Sequence, residues 1–150
     1  QRLVKKCGGD ICITEDQAKD KKIIEKFKTK NIRLALDAIA GKNTQVLANM
    51  LSDNGVIGNY GLLSGKSCQL SPHDIVFRNI SLRGIWLSQW LKGHNSNKRS
   101  IMKVYNELIE YILKGEMKAE VEKIYNLTDI KLAIKHAMKS RKGKILLKPN

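Results

Sequence analysis

Aromatic side chains make up only 5% of the 150 residues, so a nucleic-acid surface built on stacked rings has little to work with. Proline is rarer still, at two residues, and that leaves no proline-rich spacer or ligand segment. The three cysteines, Cys7, Cys12 and Cys68, are odd in number and form no C-x-x-C pair. Neither a disulfide framework nor a zinc ribbon is therefore suggested, a reducing compartment fits best, and the thiols are expected to be small buried hydrophobes. No apolar run approaches the ~20 residues of a membrane helix, and the opening QRLVKKCGGD has no hydrophobic signal core. These absences point to a soluble intracellular protein, cytoplasmic or in the mitochondrial matrix of a eukaryote.

Acidic residues are also scarce: 14 Asp and Glu stand against 28 Lys and Arg, a formal charge of +14. Such a balance raises a nucleic-acid or other acidic partner. Of the 28 basic residues, however, 22 are lysine, and Lys, Asn and Ile together form a third of the chain, as an AT-rich coding sequence produces by itself. Most of this charge is dispersed along helical faces, where solvation explains it. Only Lys139, Arg141, Lys142, Lys144 and Lys148, in a stretch without an acid, resemble a patch.

Hydrophobic pattern supplies the organisation. DICIT, Asp10 to Thr14, reads as a short strand, and Asp16 to Lys28 as a helix. IRLALDAIAG, Ile32 to Gly41, reads as an apolar strand, followed by a helix to Leu51 that Asn43 can cap. Asp53-Asn54-Gly55 is a turn into a third strand, GVIGNYGLL. Strand and helix thus alternate at short spacing, the mark of parallel α/β winding in which helices cover the sheet and ligands bind beyond the carboxyl ends of the strands. The G-x-G-x-x-G phosphate loop of a complete dinucleotide fold is missing, since Gly55, Gly58 and Gly61 have the wrong spacing.

Past SLRGIWLSQW, which holds both tryptophans, the character changes. Asn95 to Lys98 reads as a polar loop and Lys98 to Lys114 as an amphipathic helix that Gly115 closes. A half-buried strand follows at Ala119 to Asn126, then a helix from Thr128 to Met138, then a strand in GKILL. Residues 1–94 and 95–150 are thus expected to be two different units. His73, His94 and His136 are far apart and read as surface or core histidines, so no metal site is expected.

The run RLALDAIAGKNTQVLANMLSDNGVIGNYG, the string SLRGIWLSQW, the segment YILKGEMKAEVEKIY and the final GKILL resemble the C-terminal half of the medium-chain dehydrogenase/reductase superfamily. Within it the likeness is to the zinc-free 2-enoyl thioester reductases, with quinone oxidoreductases next. The resemblance implies a fold: the second half of a Rossmann-type parallel sheet, followed by the helix-strand-helix-strand end of a catalytic domain. It also implies that the catalytic domain with its tyrosine, and the glycine loop, lie upstream. This chain would then be an inactive fragment with no catalytic residue of its own, since Tyr60, Tyr105, Tyr111 and Tyr125 fall elsewhere.

For the parent protein the resemblance implies an NADPH-dependent oxidoreductase, with NADH open, that reduces the double bond of a 2-enoyl thioester in fatty acid synthesis. Tyr60, Gly61, Leu62 and Leu63 match a cofactor-contacting string, although Leu62 stands where the family has a second glycine. Ile85, Trp86, Leu87 and Ser88 match a second cofactor wall, while Trp90 is expected to pack on the following helix. Lys144 matches a lysine that reaches the cofactor, with Lys142 close enough to compete. Ser81 to Trp86 is implied to pair with its own copy in a homodimer. Two alternatives stay open: a quinone oxidoreductase, and a non-catalytic remnant whose basic surface binds acidic partners.

Overall fold

The computed structural model describes residues 2–93 and 97–149. His94, the first half of the polar loop read at Asn95 to Lys98 and the division placed at 94/95 lie outside the described residues. The chain forms two compact units, Gln1–Ser88 and Gln89–Asn150.

In the first unit, helices α1 (Arg2–Lys6) and α2 (Lys21–Lys28) precede β1 (Leu34–Asp37), α3 (Lys42–Met50), β2 (Val56–Asn59), α4 (Pro72–Val76) and β3 (Ser81–Gly84). The strands form one sheet in the order β1-β2-β3, and both pairs are parallel. Asp37 lies opposite Asn59, and Asn59 opposite Gly84, so all three carboxyl ends stop at one level. Ala48, Leu51, Ile57 and Ile80 form the core, with Ile32, Ala35 and Leu70 packed on it. Each large aliphatic chain buried there contributes about 1.5–3 kcal/mol. Side chains alternate along β1: Ala35 and Asp37 turn inward, while Leu34 and Leu36 remain 60% exposed. One face of the sheet is thus covered by α3, and Leu34 and Leu36 stand outside that cover.

DICIT is not a strand. Thr14 and Gln17 bond each other reciprocally, the Thr14 amide to Gln17 Oε1 at 2.9 Å and the Gln17 amide to Thr14 Oγ1 at 3.2 Å. Such local side-chain bonds compete with a ladder, and here they open a 3-10 turn, Gln17–Lys19. Asp20, extended, then breaks the expected single helix and caps α2 by accepting from the Lys22 amide at 2.8 Å. The apolar run from Ile32 stops pairing at Asp37, because the Asp37 carboxylate takes the amides of Ile39 and Ala40 and turns the chain. Gly41, not Asn43, holds the cap position of α3. Helix α4 has a start signal that reading by apolar period passes over: Ser71 accepts from the His73 amide at 3.2 Å, and Pro72 occupies the first turn.

Helix α5 (Leu87–Lys92) spans the division. The second unit then has α6 (Lys98–Leu113), β4 (Val121–Asn126), α7 (Ile130–Ala137) and β5 (Lys144–Lys148). Asn97 caps α6 through the Ser100 amide at 2.7 Å. β4 and β5 pair in parallel, with an irregularity between Val121 and Lys123. Thr128 lies in a 3-10 turn, Leu127–Asp129, and α7 starts without a side-chain cap. Trp90 is half exposed.

The cysteines correct their expectation: Cys7 is exposed and Cys12 and Cys68 are only partly covered, because they lie in end and loop segments outside the core cluster. Among the described residues, no helix is long and apolar enough to cross a membrane.

Candidate functional site

A parallel sheet whose strands end at one level presents three successive turns side by side, and these turns carry the candidate site. After β1 comes Ala38-Ile39-Ala40-Gly41, after β2 Tyr60-Gly61-Leu62-Leu63, and after β3 Ile85-Trp86. Backbone bonds lace the first two turns together: the Tyr60 amide donates to Asp37 O at 3.0 Å, Leu63 to Ala38 O at 3.2 Å and Ser64 to Ile39 O at 3.0 Å. Ile85 donates to Asn59 O at 2.7 Å and ties the third turn to the second.

Asp37 fixes the first turn. It is 0% exposed, and its Oδ1 accepts from the amides of Ile39 and Ala40, both at 2.9 Å, and from Asn43 Nδ2 at 3.1 Å. Its Oδ2 accepts from the Thr44 hydroxyl at 2.7 Å. Burial alone would raise this carboxyl, but the donors from Ala40, Thr44, Ile39 and Asn43 outweigh it and hold the group below its ordinary value. The same cage keeps Ala40 at φ 64°, a left-handed conformation uncommon for a residue with a side chain.

Two glycines allow the turns to close up. A Cβ on Gly61 would stand 2.5 Å from Ala38 O, and one on Gly58 would stand 2.6 Å from Ile85 Cδ1. Gly61→Ala is therefore expected to force the second turn off the first and to destabilise by about 1–3 kcal/mol. Urea unfolding of the intact protein reads this directly, and an unchanged midpoint would contradict the packing.

The structure thus brings Tyr60, Gly61, Leu62 and Leu63 beside Ile85 and Trp86, with Leu87 and Ser88 opening α5. Tyr60 is 57%, Leu63 81% and Trp86 68% exposed. This is an apolar rim, suited to the face of a flat ring, and held by a rigid frame. Lys144 opens β5 in the second unit and is exposed.

A cleft of about 610 Å³ was not foreseen from the sequence. Ile13, Ile39, Val46 and Met50 give it apolar walls, and Lys19, Lys42 and Lys66 add cations beside one acid, Glu15. None of Tyr60 to Leu63 or Ile85 to Ser88 lines it. The strand reading of DICIT hid it, because Ile13 and Thr14 become wall residues only once that segment leaves the ladder.

Fold and rim together define a class: an α/β protein of Rossmann type with its ligand edge at the strand carboxyl ends. No family model matches the chain. Among curated proteins, the chain is 32% identical over 126 residues to the mitochondrial enoyl-[acyl-carrier-protein] reductase of Dictyostelium discoideum, covering 82% of this chain and 35% of that relative. The chain therefore spans about a third of the length of the curated relatives it matches. A solved complex of Etr1p with NADP and crotonyl-CoA is 25% identical with a TM-score of 0.83, over 97% of this chain and 42% of that one. The Etr1p/Etr2p heterodimer of the mitochondrial 2-enoyl thioester reductase from Candida tropicalis matches at 23% and TM-score 0.79, over 91% and 40%. A proposed NADPH:quinone reductase from Bacillus thuringiensis, 20% identical over 96% of this chain and 44% of that one, shares the fold at a TM-score of 0.83. The chain is a relative, in sequence and in fold, of the enoyl thioester reductases of the medium-chain dehydrogenase/reductase superfamily.

Proposed function

We propose that this chain supplies the nicotinamide-facing and dimer-forming part of an NADPH-dependent reductase that acts on the double bond of 2-enoyl thioesters. The observation that carries the reading is the rim: Tyr60 to Leu63 and Ile85 to Trp86 emerge side by side at the carboxyl ends of parallel strands, in a chain related to enoyl reductases. The cofactor, when bound, supplies a hydride. Tyr60, Leu63, Ile85 and Trp86 would exclude water from that ring, and the turns fixed by Asp37 and Gly61 would set its orientation. Leu87, Ser88 and Lys144 are assigned cofactor contact on the resemblance alone, and no residue of this chain is assigned proton transfer. Residues 1–94 are read as nucleotide-binding and 95–150 as the end of a catalytic domain. The relatives' names support a mitochondrial location for a eukaryotic source, and the matrix is the proposed compartment.

The test is turnover by the intact protein with crotonyl-CoA and with a quinone, each under NADPH and NADH, read as loss of reduced-nicotinamide absorbance. Reduction of crotonyl-CoA with NADPH is expected. Quinone turnover with crotonyl-CoA inert would replace the reading by its nearest alternative.

β3 is also proposed to pair with its own copy. It lies at one edge of the sheet, and its run from Ser81 to Trp86 has one charge, Arg83, and no proline to defend it. A symmetric partner would close that edge; one protein of the same fold is a heterodimer, which bears on dimerisation in general and not on this strand. Ser81 and Ile85 donate their amides inward, to Gly55 and Asn59, so alternation turns the amides of Leu82 and Gly84 to the open edge. Leu82→Pro is therefore expected to give a folded monomer by light scattering, whereas Arg83→Pro breaks the internal ladder. An intact dimer of Leu82→Pro would place the contact elsewhere, with the open edge of β1 as the next candidate.

A further inference from the structure

The basic stretch Lys139 to Lys148 is used by the reading above only at Lys144. In the fold it becomes a shaped surface: Lys118, Arg141, Lys142 and Lys144 line a shallow groove of about 350 Å³ whose one acid is Glu120. All five side chains belong to exposed residues.

The backbone under this groove is pinned from within. Glu122 Oε2 accepts from the amides of Lys142 at 2.6 Å and Gly143 at 3.1 Å, and its Oε1 lies 3.0 Å from His136 Nε2. His136 Nδ1 in turn is 3.0 Å from the Tyr125 hydroxyl. Arg141 donates from Nε to Ala137 O at 3.0 Å and from a terminal nitrogen to Gly143 O at 3.3 Å. Gly143 lies so close to β4 that a Cβ would stand 2.7 Å from Glu120 O. The loop amides that could cradle a small anion are therefore already turned onto the protein's own Glu122 carboxylate. What faces outward is an array of long cationic side chains on a fixed frame. Such an array matches several carboxylates spread over a surface better than it matches one phosphate.

We propose that this groove is the docking surface for an acidic protein face, that of the carrier which presents the acyl thioester; the proposal rests on the enoyl reductase reading. The intact protein is assayed with a crotonyl group on acyl carrier protein and with crotonyl-CoA. Lys118→Glu, alone and with Arg141→Glu, is compared with Lys131→Glu, alone and with Lys135→Glu, which makes the same charge change on α7. With the groove variants, KM for the carrier-linked substrate is expected to rise about tenfold, with kcat and the crotonyl-CoA KM unchanged, while the α7 variants shift it less than about twofold. Equal shifts from groove and α7 variants, or no shift, would overturn the proposal. A parallel rise for crotonyl-CoA would assign the groove to phosphate and overturn it too. Fluorescence anisotropy of labelled carrier protein measures docking without turnover, with binding expected to weaken between about 50 and about 300 mM salt. An intact protein that binds carrier through the groove but leaves crotonyl-CoA unreduced would sink the functional reading alone; one that reduces crotonyl-CoA and binds no carrier would sink the docking alone.

Discussion

Arg78→Ala is expected to lower the unfolding free energy by about 3–5 kcal/mol, the range for stripping one partner from a buried ion pair. Arg78 follows α4 and reaches back to the end of α3. One terminal nitrogen donates to Asp74 Oδ1 at 2.7 Å and to Ala48 O at 3.1 Å, and the other donates to Leu51 O. Its Nε reaches Asp53 at 3.0 Å. Those bonds are unequal in weight. Asp53 is well exposed, and its pair contributes about 0–1 kcal/mol. Asp74 is buried, and without the guanidinium it keeps only Gln45 Nε2, at 2.7 Å, on its side-chain oxygens. Two carbonyls at the end of α3 would lose their cap in the same step. Arg78→Lys is expected to recover only part, because an ammonium cannot span two carboxylates and two carbonyls as a planar fork does. Urea unfolding at neutral pH measures both variants, and a loss below about 1 kcal/mol for Arg78→Ala would show that the network contributes little.

How much of this was legible beforehand differs by type of signal. Although β4, expected to be half-buried, is exposed at every position but Tyr125, apolar period found β1, β2, α3, α6, β4 and β5, because it is set by short-range spacing. It failed at DICIT, where residue types favour a strand but Thr14 and Gln17 satisfy each other locally. Strand and helix alternation alone placed strand ends at Asp37 to Gly41 and at Tyr60 to Ser64, and the structure ends β1 and β2 there; the cofactor reading of the rim came only through the likeness of GNYG and LRGIWLSQW to known reductases. Asp37 was read only as the start of a strand end, not as the carboxylate that builds the turn, and Arg78 as one of 28 cations. Arg78 acts through Ala48 and Leu51, which folding brings in from 30 and 27 residues away and no local pattern encodes; the partners of Asp37 lie only two to seven residues on, but their bonds form a turn and leave no apolar period to read. The 141–144 loop is the reverse case: its charges were plain in the sequence, but the inward turn of its amides onto Glu122 was not.

Asp37→Ala is expected to cost on the order of 2–5 kcal/mol, since it strands four donors, two of them on the buried Ala40 and Thr44, and each buried orphan costs about 1–3 kcal/mol before relaxation. Asp37→Asn is the sharper probe. It keeps the carbonyl oxygen that the amides of Ile39 and Ala40 require, but it removes the charge and turns an NH2 toward Thr44. Its effect separates from mere packing through pH. The folded carboxyl titrates below its ordinary value of about 4, so the stability it contributes is fully present above that value. As pH falls through the lowered folded value, the unfolded chain has already taken up its proton and that stability is lost. Asp74 is lowered as well, where Gln45 and Arg78 overcome the opposing effect of burial, so the unvaried protein should weaken steeply below about pH 4 from both groups. Between pH 7 and 3 the urea midpoint of Asp37→Asn should fall less than that of the unvaried protein, and the gap between them should narrow as acid removes the charge that the variant lacks. A constant gap would show that Asp37 acts by shape alone. The consequence reaches the rim, because Asp37 and Ala38 carry the carbonyls that hold Tyr60 and Leu63. Asp37→Asn in the intact protein should therefore weaken NADPH binding even at neutral pH, and unaltered affinity would show that the second turn does not depend on the first.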